Sequence, residues 1–246
     1  LKLQEYWNMV EKMFSLGAMN SHYNDSKNIL NTFGIDFQEN YEKRAKNFID
    51  AYSEEYKKQS LIGTAVEAYN AAIKFQDYSF LLDDGAIIQF SYSKTKLRFA
   101  YTECPYDAMS YKEFLHSIEL DYSECRDQFY EEYNQYLIEK PQKEHITHMR
   151  YDYSEEEYKE IIHPASHLHF GQNNSIRIPV NGILYPSSFV MLVTKQVYWE
   201  QFKEIIRCSD KLNQEKLDFY IKHIRFIDEI SSNFFSENDC KELTLR

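Results

Sequence analysis

The sequence predicts an α+β fold in which a central, mostly antiparallel sheet is flanked by N-terminal and C-terminal helices. Segments in which apolar and polar residues alternate, as they do along a half-buried strand, lie in the middle of the chain, between residues 78 and 180. Segments in which apolar residues recur every three or four positions, as on one face of a helix, lie on both sides of that region. Strand patterns grouped between helical patterns are typical of an α+β domain.

The first 75 residues are expected to form an N-terminal helical layer. Residues 1–17 carry apolar side chains at helical spacing and end at a glycine that can terminate a helix. Residues 18–36 are polar and broken, and a charged helix over residues 37–58 and an alanine-rich helix over residues 61–75 are predicted to follow. We expect this layer to cover one face of the sheet. Its alternative role is to dock a partner.

Residues 76–246 are expected to form the α+β domain. Apolar side chains share one face on each of two strands around the hairpin sequence Ser-Lys-Thr-Lys: Ile88, Phe90, Tyr92, Leu97, Phe99 and Tyr101. Residues 106–140 predict a helical insertion, because aromatic and aliphatic residues recur there at helical spacing. Tyr185-Pro186-Ser187-Ser188 marks the start of C-terminal helices, predicted over residues 187–230. The first of them is a single long helix that continues to about residue 206, and the last runs from about residue 210 to 230.

The stretch from His145 to Val180 contains five of the eight histidines. Alternation gives one face of a first strand to His148, Arg150 and Asp152 and one face of a second strand to His167 and His169. Between them, Pro164 disfavours helix at the preceding residue. If the two strands are neighbours with their polar faces aligned, these side chains converge. A register slip of one residue would reverse the faces.

The pattern MRYDY, a short acidic spacer, HPASHLHFG and RIPV fills this stretch, and YSFLLDDGAIIQFSYSKTKLRFAYTECP runs from Tyr78 to Pro105. The first pattern resembles the signature of a bacterial family of uncharacterised proteins, known as a domain of unknown function. The second resembles that family's DG-x-x-x-Q-x-x-Y strand pair. The resemblance covers most of residues 60–205 and implies a fold and a site, but no reaction. RYD followed by a His-x-His-x-Gly strand is also similar to the small TumE-like toxins of bacterial toxin–antitoxin pairs. This sequence lacks their consecutive-histidine run and is much longer.

The histidine cluster is suited to metal-independent cleavage of a phosphodiester. Histidine can act as base and as acid because its ordinary pKa lies near neutrality. The catalytic candidates are His163, His167, His169 and Arg150, the arginine balancing charge in the transition state. The candidates for ligand binding are Arg98, Asp152, His148 and Arg177. If the substrate is RNA, its 2′-hydroxyl is the nucleophile, and no metal or other cofactor is expected.

Two further interpretations of the cluster stay open. His167 and His169 have the spacing of ligands for one transition-metal ion, with His148 or Asp152 as a third ligand. Alternatively, the cluster is a satisfied polar network that fixes strand register and a loop, and binding occurs elsewhere. Replacing a histidine discriminates between these possibilities: an enzyme loses turnover but keeps its fold, whereas a structural network loses stability.

Composition excludes several function classes. The 39 acidic residues exceed the 28 basic ones and give a net charge of −11, which opposes non-specific DNA binding but permits a local basic cleft. The four cysteines form no C-x-x-C pair, and the P-loop, G-x-G-x-x-G, G-x-S-x-G and H-E-x-x-H motifs are absent. No apolar run approaches the roughly 20 residues that span a bilayer, and no signal peptide is visible. We therefore expect a cytoplasmic protein without membrane contact.

Two functions of different classes fit these observations. The first is a toxin-like or phage-defence effector that cleaves RNA or a nucleotide with the histidine cluster. The second is a non-catalytic accessory subunit that binds a ligand or a protein partner encoded in the same locus. Co-purification of a stoichiometric partner would favour the second function.

Overall fold

The computed structural model describes residues 14–43, 46–47, 52–126, 128–172, 176–207, 215, 218–219, 227–228 and 230–241. Eight helices and ten strands lie in this part of the chain, which confirms the α+β class. The helices are α1 (Leu16–Thr32), α2 (Glu54–Ile62), α3 (Ala65–Lys74), α4 (Tyr111–Ser117), α5 (Tyr122–Cys125), α6 (Tyr130–Ile138), α7 (Pro186–Val197) and α8 (Trp199–Arg207). The strands are β1 (Phe37–Glu39), β2 (Lys46–Asn47), β3 (Phe80–Leu82), β4 (Ile87–Tyr92), β5 (Lys96–Thr102), β6 (His148–Ser154), β7 (Ser166–Phe170), β8 (Ile178–Pro179), β9 (Ile183–Leu184) and β10 (Ile227–Asp228). None of the described helices is long and apolar enough to cross a membrane.

The main sheet is mostly antiparallel, as the sequence predicts. Seven strands follow the order β1-β3-β4-β5-β6-β7-β8, and each is antiparallel to its neighbours. Strand β2 joins as an eighth strand, parallel to β4 and beyond the residues of β4 that pair with β3. Strands β9 and β10 form a separate two-stranded ladder.

The first face of the sheet is apolar and carries the main core. Because side chains alternate along a strand, every second residue of β4, β5, β6 and β7 turns to this face. The buried residues include Ile88, Phe90, Phe99, Tyr101, Tyr151 and Leu168. Helices α1 and α7 contact each other and bury side chains in the same core, among them Met19, Ile29, Phe189 and Val193.

The second face is divided between a smaller core and a polar region. The smaller core includes Tyr69, Tyr78, Leu81, Ile87, Tyr111, Leu115 and Tyr133, which come from α3, α4, α6, the strands β3 and β4 and the segment ahead of β3. The polar region lies on β5, β6 and β7. Helix α2 lies at the boundary, because Tyr56 packs against the smaller core while its hydroxyl donates to Oε1 of Gln89 on β4, at 2.8 Å.

Helix α1 lies where the sequence predicted a broken segment over residues 18–36, so that prediction was wrong. Ser15 caps the helix by accepting a bond from the backbone N–H of Ala18. The buried apolar residues of α1 are Met19, Tyr23, Ile29 and Leu30. Packing of this apolar face outweighs the weak helix propensity of the many asparagine and serine residues between them. The helix predicted over residues 1–17 falls almost wholly outside the described residues.

The charged helix predicted over residues 37–58 was also wrong. Residues 37–39 form the edge strand β1, and helix α2 begins only at Glu54. The carboxylate of Asp77 accepts bonds from the backbone N–H and hydroxyl of Ser53, so a residue far along the chain fixes the start of α2. The N-terminal layer therefore contributes strands as well as helices. A domain division at residue 75 stays a prediction.

Two helices replace the single long helix expected after Pro186. They are separated at Tyr198, whose hydroxyl donates to Oδ2 of Asp84 at 2.9 Å. Most of the last helix, predicted over residues 210–230, lies outside the described residues, but Ile227–Asp228 form strand β10 rather than helix. Helices α4, α5 and α6 lie within residues 106–140, where the sequence predicted a helical insertion.

Candidate functional site

The register of β5, β6 and β7 arranges the polar residues of the second face in two rows. The first row contains Arg98 of β5, Asp152 of β6 and His167 of β7. The second row contains Ala100, Arg150 and His169. The alignment of polar faces that the sequence left as an assumption is therefore present, and side chains more than 50 residues apart in the chain become neighbours.

The carboxylate of Asp152 is the centre of this cluster. Its Oδ1 accepts a hydrogen bond from Nε of Arg98 at 2.8 Å, and its Oδ2 accepts one from Nε of Arg150 at 2.9 Å. Nε2 of His169 lies 3.3 Å from Oδ2. Burial opposes ionisation of Asp152, but the His169 bond and the two guanidinium groups outweigh it and hold the pKa of Asp152 well below its ordinary value. The carboxylate is therefore ionised at neutral pH.

Three histidines form a row that leads to this carboxylate. The ring centroids of His163 and His167 are 5.1 Å apart, and those of His167 and His169 are 4.7 Å apart. Nδ1 of His167 lies 2.8 Å from the backbone oxygen of Pro164. A carbonyl oxygen only accepts, so Nδ1 carries the proton and the lone pair is on Nε2. Burial lowers the pKa of His167 to about 4, which keeps the ring neutral at pH 7.

His148 lies at the start of β6, on the same face. Its Nδ1 is 2.9 Å from Oγ1 of Thr102 on the neighbouring strand. Burial is the largest cause of a pKa lowered to about 4, and the charge of Arg150 acts in the same direction. His148 is therefore also neutral at pH 7.

A cavity of about 280 Å³, which we call the arginine cavity, lies between the polar rows and α2. The sheet contributes Arg98, Arg150, His148, Gln89 and Ala100, and the other side contributes Tyr52, Tyr56, Lys57, Ser60, Leu61 and Gln172. The wall contains three charged groups, and all of them are cations: Arg98, Arg150 and Lys57. Asp152, which is bonded to the two arginines, supplies one negative charge. Lys57 is paired with Glu54, but the Glu54 side chain is 91% exposed, so water screens that pair. The arginine cavity is therefore locally positive in an acidic chain.

Most of the residues predicted for the site lie together. Six of them form the cluster on the second face: Arg98, His148, Arg150, Asp152, His167 and His169. His163 lies beside His167, and its Nδ1 is buried without a hydrogen-bond partner among the described residues. Arg177 does not join them, because it is exposed ahead of β8 and does not line the arginine cavity. His167 and His169 are 2% and 4% exposed and contribute nothing to the described cavity wall.

The wall residues of α2 and its N-terminal flank were missed from the sequence. Tyr52, Tyr56 and Lys57 belong to a segment for which only a charged helix was predicted. The Ser-Glu-Glu sequence at residues 53–55 is a helix-start signal that could have located the N-terminus of α2. It contains no information on which strand the helix covers.

Asp152, His167 and His169 also offer donor atoms that all lie within 4.8 Å of one another, so they could hold one metal ion. Two histidines and a carboxylate suit a transition metal. Both carboxylate oxygens, however, already accept bonds from guanidinium groups, and Nε2 of His169 points to the same carboxylate. A metal ion here would have to replace these bonds beside two positive charges. The cluster is therefore better suited to work without a metal.

The comparisons with known proteins identify a family. A sequence-family model described as "Uncharacterized conserved protein (DUF2290)" matches residues 20–236. No curated protein and no solved structure matches the chain. The matched range contains all of β1 to β10 and the whole arginine cavity.

The lowered histidine pKa values predict a pH-dependent stability. When the pKa of a histidine is lower in the folded than in the unfolded protein, the unfolded state binds more protons between the two values, so stability falls as pH decreases through that window. For His167 the window runs from about 6.5 down to about 4. The wild type should lose unfolding free energy between pH 7 and pH 5, and His167→Gln should lose about 2 kcal/mol less over the same range. Urea denaturation of both proteins at both pH values measures this difference.

His116→Gln is the matched control for this measurement, because His116 is exposed on α4. We expect the control to show the same pH dependence as the wild type. An unchanged pH dependence in His167→Gln would contradict the buried, neutral state of His167.

Proposed function

The chain belongs to the DUF2290 family of uncharacterised conserved proteins, and we propose that it binds RNA or a nucleotide by its phosphate in the arginine cavity and cleaves a phosphodiester bond there without a metal ion. One observation carries this proposal. Arg98 and Arg150, whose guanidinium groups are fixed by the same carboxylate, form part of a cavity wall that also contains His148.

Phosphate binding follows from the charge and geometry of the wall. Guanidinium groups bind phosphate through several parallel N–H bonds, and they bind best when they are held in place before the ligand arrives. Asp152 holds both guanidinium groups in place, because it accepts a hydrogen bond from Nε of each arginine. After the charge of Asp152 is subtracted, Arg98, Arg150 and Lys57 leave a net positive charge to attract an anion. The net charge of −11 then restricts nucleic acid binding to this place.

The cleavage step is assigned to His148 and the two arginines. His148 is neutral before the ligand binds, and a phosphate anion beside it raises its pKa towards neutrality, because an opposite charge favours the protonated ring. A base of this kind can take the proton of a ribose 2′-hydroxyl, whose oxygen then bonds to the adjacent phosphorus and forms a 2′,3′-cyclic phosphate. The P–O5′ bond breaks, and the 5′-oxygen leaves as a hydroxyl after taking a proton from water. The guanidinium groups of Arg98 and Arg150 stabilise the negative charge that builds on the phosphoryl oxygens.

The three histidines of the row have a supporting role in this proposal. His169 holds Asp152, which in turn holds both arginines, and the Pro164 carbonyl fixes the ring of His167. His163, at the outer end of the row, is 21% exposed by its side chain. The sequence assigned catalysis to these three residues, but none of them lines the arginine cavity, and this favours positioning over contact with substrate.

The biological setting that we propose is a toxin-like or phage-defence effector encoded beside its protein partner. The RYD and His-x-His-x-Gly segments, by their sequence resemblance to TumE-like toxins, motivate an RNA substrate for such an effector; no curated protein matches the chain. A non-catalytic accessory subunit is the second candidate, and the buried, hydrogen-bonded states of His167 and His169 favour it as a structural motif. Such a subunit would bind its ligand or partner without cleaving it.

RNA binding is tested with a 2′-O-methyl RNA oligonucleotide, which lacks the nucleophile and therefore separates binding from cleavage. Arg98→Gln should weaken binding by about 10- to 100-fold in fluorescence anisotropy, because it removes a charge-assisted hydrogen bond to phosphate. Arg207→Gln removes the same charge at an exposed position of α8 and should change Kd by less than about threefold. Equal effects of the two variants, or no binding of the oligonucleotide and of AMP by the wild type, would contradict the proposed phosphate site.

Cleavage is tested with an unmodified RNA and nucleotide panel in the presence and absence of EDTA. We expect cleavage that survives EDTA, and His148→Gln should lower its rate by about 10²- to 10⁴-fold while Kd for the 2′-O-methyl RNA changes little. His116→Gln is the histidine control. Loss of cleavage in EDTA would instead indicate the metal site at Asp152, and binding without cleavage would indicate the accessory subunit.

A further inference from the structure

A second and larger cavity, which we call the tyrosine cavity, lies beside the smaller core of the second face. Its volume is about 900 Å³, within the range of small-molecule sites. Helices α3 and α6 form two of its sides, and the segment from Gln38 to Glu42 forms a third. Tyrosines supply much of the wall, including Tyr69, Tyr78, Tyr106 and Tyr130. No residue of its described wall is shared with the arginine cavity, so the two are separate sites.

Two buried amide oxygens of the wall lack partners. Oε1 of Gln38 and Oδ1 of Asn134 are buried and have no hydrogen-bond partner among the described residues. Gln38 pairs with Leu81 in the β1–β3 ladder, so its side chain points to the same face as Leu81, which belongs to the smaller core. Buried polar groups are nearly always hydrogen-bonded, and an acceptor left without a donor destabilises the folded chain. Two such acceptors in one wall indicate a ligand that supplies two donors.

The remaining wall groups define the charge of that ligand. Glu39, Glu42 and Glu131 line the cavity against one lysine, Lys74, and no arginine is among the described lining residues. Glu39 is paired with Lys27 behind the wall, so Glu42 and Glu131 leave the wall net negative. Such a wall repels phosphate and accepts neutral compounds. Tyrosine rings supply flat faces on which a ring compound can stack, as in other aromatic-lined sites.

We propose that the tyrosine cavity binds a neutral ring compound with at least two N–H or O–H donors, which bond to Oε1 of Gln38 and Oδ1 of Asn134 while the ring packs against tyrosine. Nucleosides and sugars are the two sources of this chemistry. The inference does not depend on phosphate binding or cleavage at the arginine cavity. It concerns different residues and a ligand of different charge.

The test is isothermal titration of the full chain with adenosine, guanosine, cytidine and uridine in one arm, and with glucose, galactose and N-acetylglucosamine in the other. We expect one arm to contain a ligand. Gln38→Met and Asn134→Leu preserve side-chain size but remove the acceptor, so each should weaken that ligand by about tenfold or more. Gln128→Met, on an exposed residue outside the cavity, is the matched control and should bind as the wild type does.

A second measurement separates a ligand site from a structural contact. If the two oxygens lack donors without ligand, then Gln38→Met and Asn134→Leu should leave the ligand-free Tm unchanged or raise it by about 2–4 °C. A lower Tm in both variants would overturn the proposal, because it would show that the amides are satisfied within the chain. Absence of binding in both arms, or binding that both variants retain in full, would overturn it as well.

Discussion

The organisation of the second face depends on one ion cluster, in which the buried carboxylate of Asp152 accepts bonds from the guanidinium groups of Arg98 and Arg150. These three side chains belong to two adjacent strands, and His169 adds a third strand through its bond to the same carboxylate. The Asp152 side chain is 13% exposed, but those of Arg98 and Arg150 are 45% and 32% exposed, so water partly screens both ion pairs and each contributes less than a fully buried pair would. The cluster therefore restricts the side-chain positions of β5, β6 and β7 together, and it leaves two guanidinium groups fixed in the wall of a cavity.

This arrangement is possible because the sheet uses its two faces differently. The first face buries alternating aromatic and aliphatic residues under α1 and α7, and that apolar burial supplies the main stabilisation of the domain. Part of the second face is covered by α3, α4 and α6, so the apolar residues of β3 and of the start of β4 are also buried. Farther along the sheet Asp152 and the histidines of β6 and β7 are buried, whereas Arg98 and Arg150 are partly exposed. In that environment charges interact more strongly than in water and histidines lose their protons, as the lowered pKa values of His148 and His167 illustrate.

Local patterns in the sequence predicted the strands around the site, but not the elements that cover it. Alternation alone located β4 to β7 and gave His148, Arg150 and Asp152 a common face, because side-chain direction in a strand has a period of two. The alignment of β6 with β7 had to be assumed, since register depends on contacts between strands. Helix α1 was missed because its buried residues are separated by asparagine and serine, whose low propensity is overcome only by tertiary packing. The contact of Tyr56 with Gln89 spans 33 residues, and no local pattern encodes it.

The most direct test of the account is the affinity of Asp152→Asn for a non-cleavable RNA, with the fold checked by circular dichroism. The substitution removes a negative charge beside the arginine cavity, so electrostatic attraction alone would strengthen RNA binding. If Asp152 fixes the two guanidinium groups for phosphate, loss of that constraint should weaken binding despite the added positive charge. Weaker binding by a folded variant is the predicted result. Unchanged or tighter binding would contradict the central role of this carboxylate.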